Sequence, residues 1–323
     1  MTNEDWEIPK NLQPDPGDYS FDLDRALRAV VGIKSYVPGD AFTANTLGTE
    51  RAGSGVVIRD SGLVATIGYL VTEADAIWIT CGDGRAVPGH ALAYDQESGF
   101  GLVQTLGKLA LPALEIGDTD RLRVGDPVVF AASGGRKHAI ETKLVGRQEF
   151  AGYWEYALDE AIFTYPSHPN WGGTGLISAS GELLGIGSLQ IERANEGKNE
   201  HLNMIVPIDL LKPILNDLRK FGRVNKPARP WLGVFTTEIE DKVVVAGMSP
   251  KGPAARAELK VGDVIVAVKG EKITTQREFY RKFWALGPAG VDVPLTLHRE
   301  GDTFNVVLTS TDRTRLQKKP RLH

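Results

Sequence analysis

The chain has 323 residues, 42% hydrophobic and 24% charged, a globular composition long enough for two or three domains and a substantial core. A formal net charge of −4 and a pI near 5.9 exclude a general attraction to nucleic acid or anionic lipid. A single cysteine, Cys81, excludes an intrachain disulfide, and beside Trp78 and Ile79 it reads as a small buried hydrophobe.

Residues 1–21, with Pro9, Pro14 and Pro16, read as an extended N-terminal arm. The first ten residues are acidic and lack the apolar stretch of a secretory signal, and no later segment approaches a membrane span. The chain is therefore expected to be cytoplasmic and free of membrane partners. Phe21, Leu23, Ala26, Leu27, Val30 and Val31 suit a short amphipathic helix running into a strand. Short apolar runs punctuated by Gly, Asp and Pro follow: 55–58, 76–80, 86–93, 102–106, 127–132, 161–165, 175–178, 183–189 and 201–206. Strands this short at this spacing indicate an all-β barrel or sandwich. Between them, 133–160 reads as a loop region. Ile208, Leu211, Ile214, Leu215 and Leu218 predict one helix over 207–221, closed by Gly222. A basic, Gly- and Pro-containing linker (219–229) precedes a second domain over 230–312, and Arg313, Arg315, Lys318, Lys319 and Arg321 form a solvated basic tail over 313–323.

Gly53-Ser-Gly-Val-Val-Ile58 and Gly62-Leu-Val-Ala-Thr66, together with the runs 95–103, 168–176 and 259–266, resemble the HtrA/Deg family of trypsin-like serine proteases with a C-terminal PDZ domain; the first two match the opening of its first barrel. The family then places its catalytic histidine in Thr-Asn-Asn-His-Val-Val; here Thr66-Ile-Gly-Tyr-Leu-Val71 puts Tyr69 in that slot. Asp95-Gln-Glu-Ser-Gly-Phe-Gly-Leu-Val103 matches the segment carrying the catalytic aspartate, with Gly99 at its position. Leu114–Asp126 resembles the start of the second barrel. His168-Pro-Asn-Trp-Gly-Gly-Thr-Gly-Leu176 matches the nucleophile segment, with Gly172 in the serine slot. The match covers about 22–218 and implies a mainly β, chymotrypsin/trypsin-like double barrel.

The chemistry of the three slots decides what this implies. A serine nucleophile needs a base within hydrogen-bond reach and a carboxylate to hold that base in the right tautomer. A tyrosine with a reference pKa of about 10 is a poor base at pH 7, and glycine supplies no group at all. Losing the nucleophile alone costs other triads on the order of a million-fold in turnover. Backbone N–H groups near Asn170, Trp171 and Gly172 would leave an oxyanion loop without a nucleophile. Thr174, the nearest hydroxyl, stands roughly 6–7 Å along an extended chain, too far to substitute. Tyr69 and Trp171 are expected to fill the old cleft, and His168 is expected to be an exposed loop residue. No spacing resembles a metal site, and no cofactor is expected.

In the C-terminal domain, Pro230-Trp-Leu-Gly-Val234 resembles the PDZ opening, whose loop captures a peptide's terminal carboxylate. Leu259-Lys-Val-Gly-Asp-Val-Ile-Val266 is the most diagnostic run; Glu258 before it replaces a family glycine. The resemblance implies β-augmentation by an extended or C-terminal peptide, with Trp231, Leu232, Gly233 and Val234 as nest and strand and Phe235 or Phe279 bounding a side-chain pocket. Family members trimerise through N-terminal aromatic residues, which makes Trp6, Tyr19 and Phe21 candidates for a homo-oligomer contact. The expected function is a pseudoprotease acting as a peptide- or protein-binding scaffold or adaptor. The alternatives are an active HtrA-type endopeptidase with an unconventional site and a chaperone or regulatory subunit co-assembling with an active paralogue.

Overall fold

The computed structural model describes residues 6–195 and 197–319. The chain divides into two compact units: residues 1–148 with 160–224 and 319–323, and residues 149–159 with 225–318.

The first unit holds two closed six-stranded antiparallel barrels, in agreement with the double-barrel expectation. Barrel one uses β1 (Val30–Tyr36), β2 (Glu50–Arg59), β3 (Leu63–Ile67), β4 (Ala76–Thr80), β5 (Ala86–Tyr94) and β6 (Phe100–Thr105), in the order β1-β2-β3-β6-β5-β4. Alternation sets the faces: in β4, Ile77 and Ile79 point inward while Trp78 is exposed, as a period of two demands. Cys81 at its end is buried, as expected of a small apolar side chain. Register shifts at Val57/Arg59 and Ala91/Ala93 bend the strands enough to close the barrel. The short helices α1 (Leu23–Leu27), capped by the Asp22 carboxylate, and α2 (Ala44–Leu47) flank β1.

Barrel two uses β7 (Pro127–Ala131), β8 (Ala139–Gly152), β9 (Tyr156–Tyr165), β10 (Gly175–Ile177), β11 (Leu183–Asn195) and β12 (Lys198–Pro207), in the order β10-β11-β12-β9-β8-β7. The segment read as a loop region, 133–160, is therefore mostly the long β8–β9 hairpin. Its mixed burial pattern hides the alternation that marks shorter strands. Two further expectations give way here. The N-terminal arm is not simply extended: it makes 3₁₀ turns at Lys10–Leu12 and Pro16–Asp18, buries Ile8 in the core of barrel two and packs Trp6 edge-on against His138 and His168. Tyr19 donates its hydroxyl hydrogen bond to Glu141 and packs against Phe21. The single helix expected over 207–221 is instead a 3₁₀ turn (Ile208–Leu210) followed by α3 (Leu215–Phe221), because Pro213 has no N–H to continue the ladder; Gly222 closes α3 in the left-handed region.

The second unit carries a sheet of β13 (Val234–Ile239), β14 (Lys242–Met248), β15 (Val264–Val268), β16 (Glu271–Lys272), β17 (Asp292–Arg299) and β18 (Asp302–Thr309), with β13 at one edge. Helices α4 (Pro253–Arg256) and α5 (Gln276–Trp284) complete it. Its core joins Leu232, Val234, Val245, Ile265, Phe279 and Phe283. Phe279 is thus fully enclosed core and not a wall of an open pocket. Glu258 sits at φ 59°, a left-handed conformation that a glycine adopts without strain. The basic tail is not wholly frayed: Arg313–Leu316 forms a 3₁₀ turn capped by Asp312, while Arg321 lies outside the described residues.

Candidate functional site

In the first unit, the three slots singled out by sequence come together. The turn Gly68–Leu70 following β3 carries Tyr69. The Gly68 N–H donates to the Gly99 carbonyl at 2.7 Å, and Gly99 holds φ 86° in the turn after Asp95. Tyr69 Oη lies 2.9 Å from the place a Cβ on Gly172 would occupy and donates to the Ser188 carbonyl at 2.7 Å. Burial raises the Tyr69 pKa above its ordinary value, so the phenol stays protonated. Gly173 is fixed by sterics: at φ 77° its Cβ would stand 1.8 Å from the Ser54 carbonyl oxygen.

The loop that leads to Gly172 is built on a residue that sequence reasoning misplaced. His168 is not exposed but fully buried. Its backbone N–H donates to Asn203 Oδ1 at 2.7 Å, and its Nδ1 accepts the Asn170 N–H at 2.9 Å. Nε2 lies 3.1 Å from the His138 carbonyl, which makes it the protonated nitrogen of a neutral ring. Burial lowers its pKa to about 4, which keeps the ring neutral. The Asn170 N–H, expected to remain an oxyanion donor, is therefore already committed. Thr174 is equally occupied, donating to the Asn170 carbonyl at 2.6 Å. Trp171 is half-buried and packs on the core of barrel two.

Arg51 was also overlooked. It is buried and donates to the carbonyls of Tyr69 (2.8 Å), Thr72 (2.9 Å) and Gly48 (3.2 Å) and to Thr43 Oγ1 (2.8 Å). Buried Glu73 accepts from the Phe42 and Thr43 N–H groups and the Thr43 hydroxyl, which completes a charged network beneath the Tyr69 turn. A lone arginine on a strand offers no sequence signal for this role.

In the second unit, Trp231–Val234 forms a nest of N–H groups ahead of edge strand β13. Gly233 holds φ 75°, and a Cβ there would meet the Trp231 ring at 2.8 Å. The nest is filled. The Leu232 N–H donates to Glu155 Oε2 at 3.0 Å and the Val234 N–H to Glu155 Oε1 at 2.8 Å, with the Gly233 N–H also contributing. Glu155 is buried, and burial pushes its pKa up to about 7 although these three donors and the charge of Arg313 pull the other way.

Residues 53–186 match the trypsin-like peptidase domain family and residues 230–309 the PDZ domain family. Over 286 residues the chain is 29% identical to a protein of Halomonas elongata named probable periplasmic serine endoprotease DegP-like, covering 82% of this chain but 57% of that protein. The serine endoprotease DegS of Salmonella typhimurium is 27% identical over 326 residues, 91% of this chain and 86% of its own length. The chain thus spans little more than half of its DegP-like relatives. A solved serine endoprotease from Yersinia pestis shares the fold, with a TM-score of 0.53 at 24% identity over 95% of this chain and 99% of that one. An HtrA-type protease AlgW with tripeptide does likewise, with a TM-score of 0.54 at 21% identity over 92% and 97%. The cytoplasmic expectation is corrected by these relatives, several of which are named periplasmic. One buried cysteine and a globular composition suit either compartment, so they could not discriminate. With both domains matched in this order and DegP- and DegS-type serine endoproteases similar along most of its length, the chain joins a trypsin-like peptidase domain to a PDZ domain and is related to the HtrA/Deg proteases.

Proposed function

We propose that this member is a pseudoprotease of the periplasm that acts as a peptide-binding scaffold or adaptor through its PDZ domain. The observation that carries the reading is the state of the three slots: Gly99 and Gly172 offer no reactive group, and the Tyr69 hydroxyl beside Gly172 is spent on the Ser188 carbonyl. Acyl transfer needs a nucleophile whose proton passes to a base as it attacks. The neighbouring candidates are engaged elsewhere, Thr174 with the Asn170 carbonyl and His168 through both ring nitrogens.

The test is labelling of the full chain with a fluorophosphonate probe, together with digestion of unfolded casein. Neither a labelled band nor cleavage is expected, and stoichiometric labelling at any serine or threonine of the first unit would overturn the reading. Adaptor function further requires that the full chain bind a hydrophobic peptide through its free C-terminal carboxylate. A homo-oligomer is part of the proposal, with Trp6, Tyr19 and Phe21 as contact candidates; native mass measurement decides it.

A further inference from the structure

The filled nest identifies what a peptide would meet in the groove. The turn Tyr153-Trp154-Glu155 closes the β8–β9 hairpin, and residues 149–159 pack as part of the second unit. Three sets of contacts seat this tip where an extended ligand would lie. The Glu155 carboxylate occupies the N–H groups of Leu232, Gly233 and Val234. The Tyr153 carbonyl accepts the Thr236 N–H at 3.1 Å, a main-chain bond to edge strand β13 of the kind by which an added strand is held. On the helix side, the Tyr280 hydroxyl of α5 donates to the Gly152 carbonyl at 2.9 Å. The Tyr153 ring stands edge-on to Phe235, the residue expected to wall the side-chain pocket. Charge flanks the seat: Asp159 pairs with Arg277 (3.0 Å) and Arg281 (2.6 Å) of α5, and Glu149 pairs with Arg277. Glu155 itself holds φ 57°, a conformation unfavourable for a residue with a side chain.

We propose that the hairpin tip 149–159 is a built-in ligand of the PDZ groove, with the Glu155 side-chain carboxylate standing where an incoming peptide's terminal carboxylate would bind, so that peptides bind only by displacing it. Competition of this kind rests on the reading of Trp231–Val234 as the carboxylate-binding loop. The geometry also defines the ligand class: an extended segment that delivers a carboxylate to the nest and an aromatic or apolar side chain towards Phe235. The apparent affinity of a free peptide is then its intrinsic affinity reduced by the fraction of molecules whose groove is open.

The experiment compares the full chain with Glu155→Ala and with the double variant Arg277→Ala/Arg281→Ala. The probe is a fluorescein-labelled decapeptide with a hydrophobic C-terminal residue, as the free acid and as the C-terminal amide. Amide hydrogen exchange at Leu232, Val234 and Thr236 is measured without peptide. Glu155→Ala is expected to bind the free acid at least about tenfold more tightly than the parent, as follows when about a tenth or less of the parent grooves are open. The three amides lose protection in the same variant, and the C-terminal amide gains nothing. The double arginine variant, which leaves the buried contacts in place, gains about threefold, as expected of exposed ion pairs. Equal affinity and unchanged protection in Glu155→Ala overturn the proposal. Should that variant fail to fold, unchanged affinity and protection in the arginine variant do so instead. Loss of protection without binding of either peptide leaves the tip docked in the parent but overturns both the terminal-carboxylate reading of the groove and the competition built on it.

Discussion

At the residue scale, Arg51 and His168 show how buried polar side chains set the two loops beside Gly172. Arg51 feeds four acceptors, and its charge faces buried Glu73. Arg51→Met would remove the side-chain donor to the Tyr69 and Thr72 carbonyls and the charge that faces the buried Glu73 carboxylate. The expected loss is about 3–5 kcal/mol, the usual cost of breaking a buried charge pair, and urea denaturation of the variant checks it. For His168 the sign follows from its lowered pKa. A histidine in the unfolded chain takes its proton near pH 6.5, whereas the buried ring stays neutral down to about pH 4. The unfolded state therefore binds more protons between these values. Stability is full above about pH 6.5 and falls as the pH drops towards 4, by on the order of 3 kcal/mol. Urea midpoints at pH 7 and pH 5 measure the fall, and His168→Gln should flatten that part of the profile.

At the element scale, the β8–β9 hairpin carries a pH response of opposite sign. Docked Glu155 titrates at about 7 against 4.5 for an ordinary glutamate. The docked form thus retains a proton that the released form has lost, and docking is strongest below about pH 4.5 and weakens as the pH rises to 7. The titratable groups that face it are Arg313 and Tyr280 of α5, whose hydroxyl burial keeps neutral. Protection factors of the Leu232 and Val234 amides are expected to be higher at pH 5 than at pH 7.5, after correction for the intrinsic exchange rate. Equal protection at both values would contradict the shift. This hairpin was also the least legible part of the sequence. Half-buried residues such as Val145, Phe150, Ala151 and Ala157 blur its alternation, and Gly146 and Gly152 resemble loop punctuation. The shorter strands were readable because one face of each is cleanly buried, as in β4. The interrupted helix at Pro213 was misread for a simpler reason: its apolar spacing is helical on both sides of a residue that cannot donate.

At the scale of the whole molecule, the second unit is assembled from two stretches of chain, 149–159 and 225–318. A cut in the exposed basic segment near Arg223 should therefore leave the C-terminal piece attached through the hairpin tip. Brief trypsin treatment followed by gel filtration is expected to show one native-sized peak whose denatured components are two fragments. Separation of the pieces under native conditions would mean that the tip is not stably docked.

What the sequence determined by itself was local in kind. The barrel and PDZ motifs, and the residue types at Tyr69, Gly99 and Gly172, are properties of short segments whose spacing and residue types carry their own chemistry. Only the tertiary structure decided that His168 is enclosed, that the Asn170 N–H is already taken, and that Glu155 fills the nest at Leu232, 77 residues away along the chain. Each of these depends on which groups are removed from water together. A buried carboxylate or N–H must find its partner wherever the fold brings one, and no periodicity in the chain records that meeting.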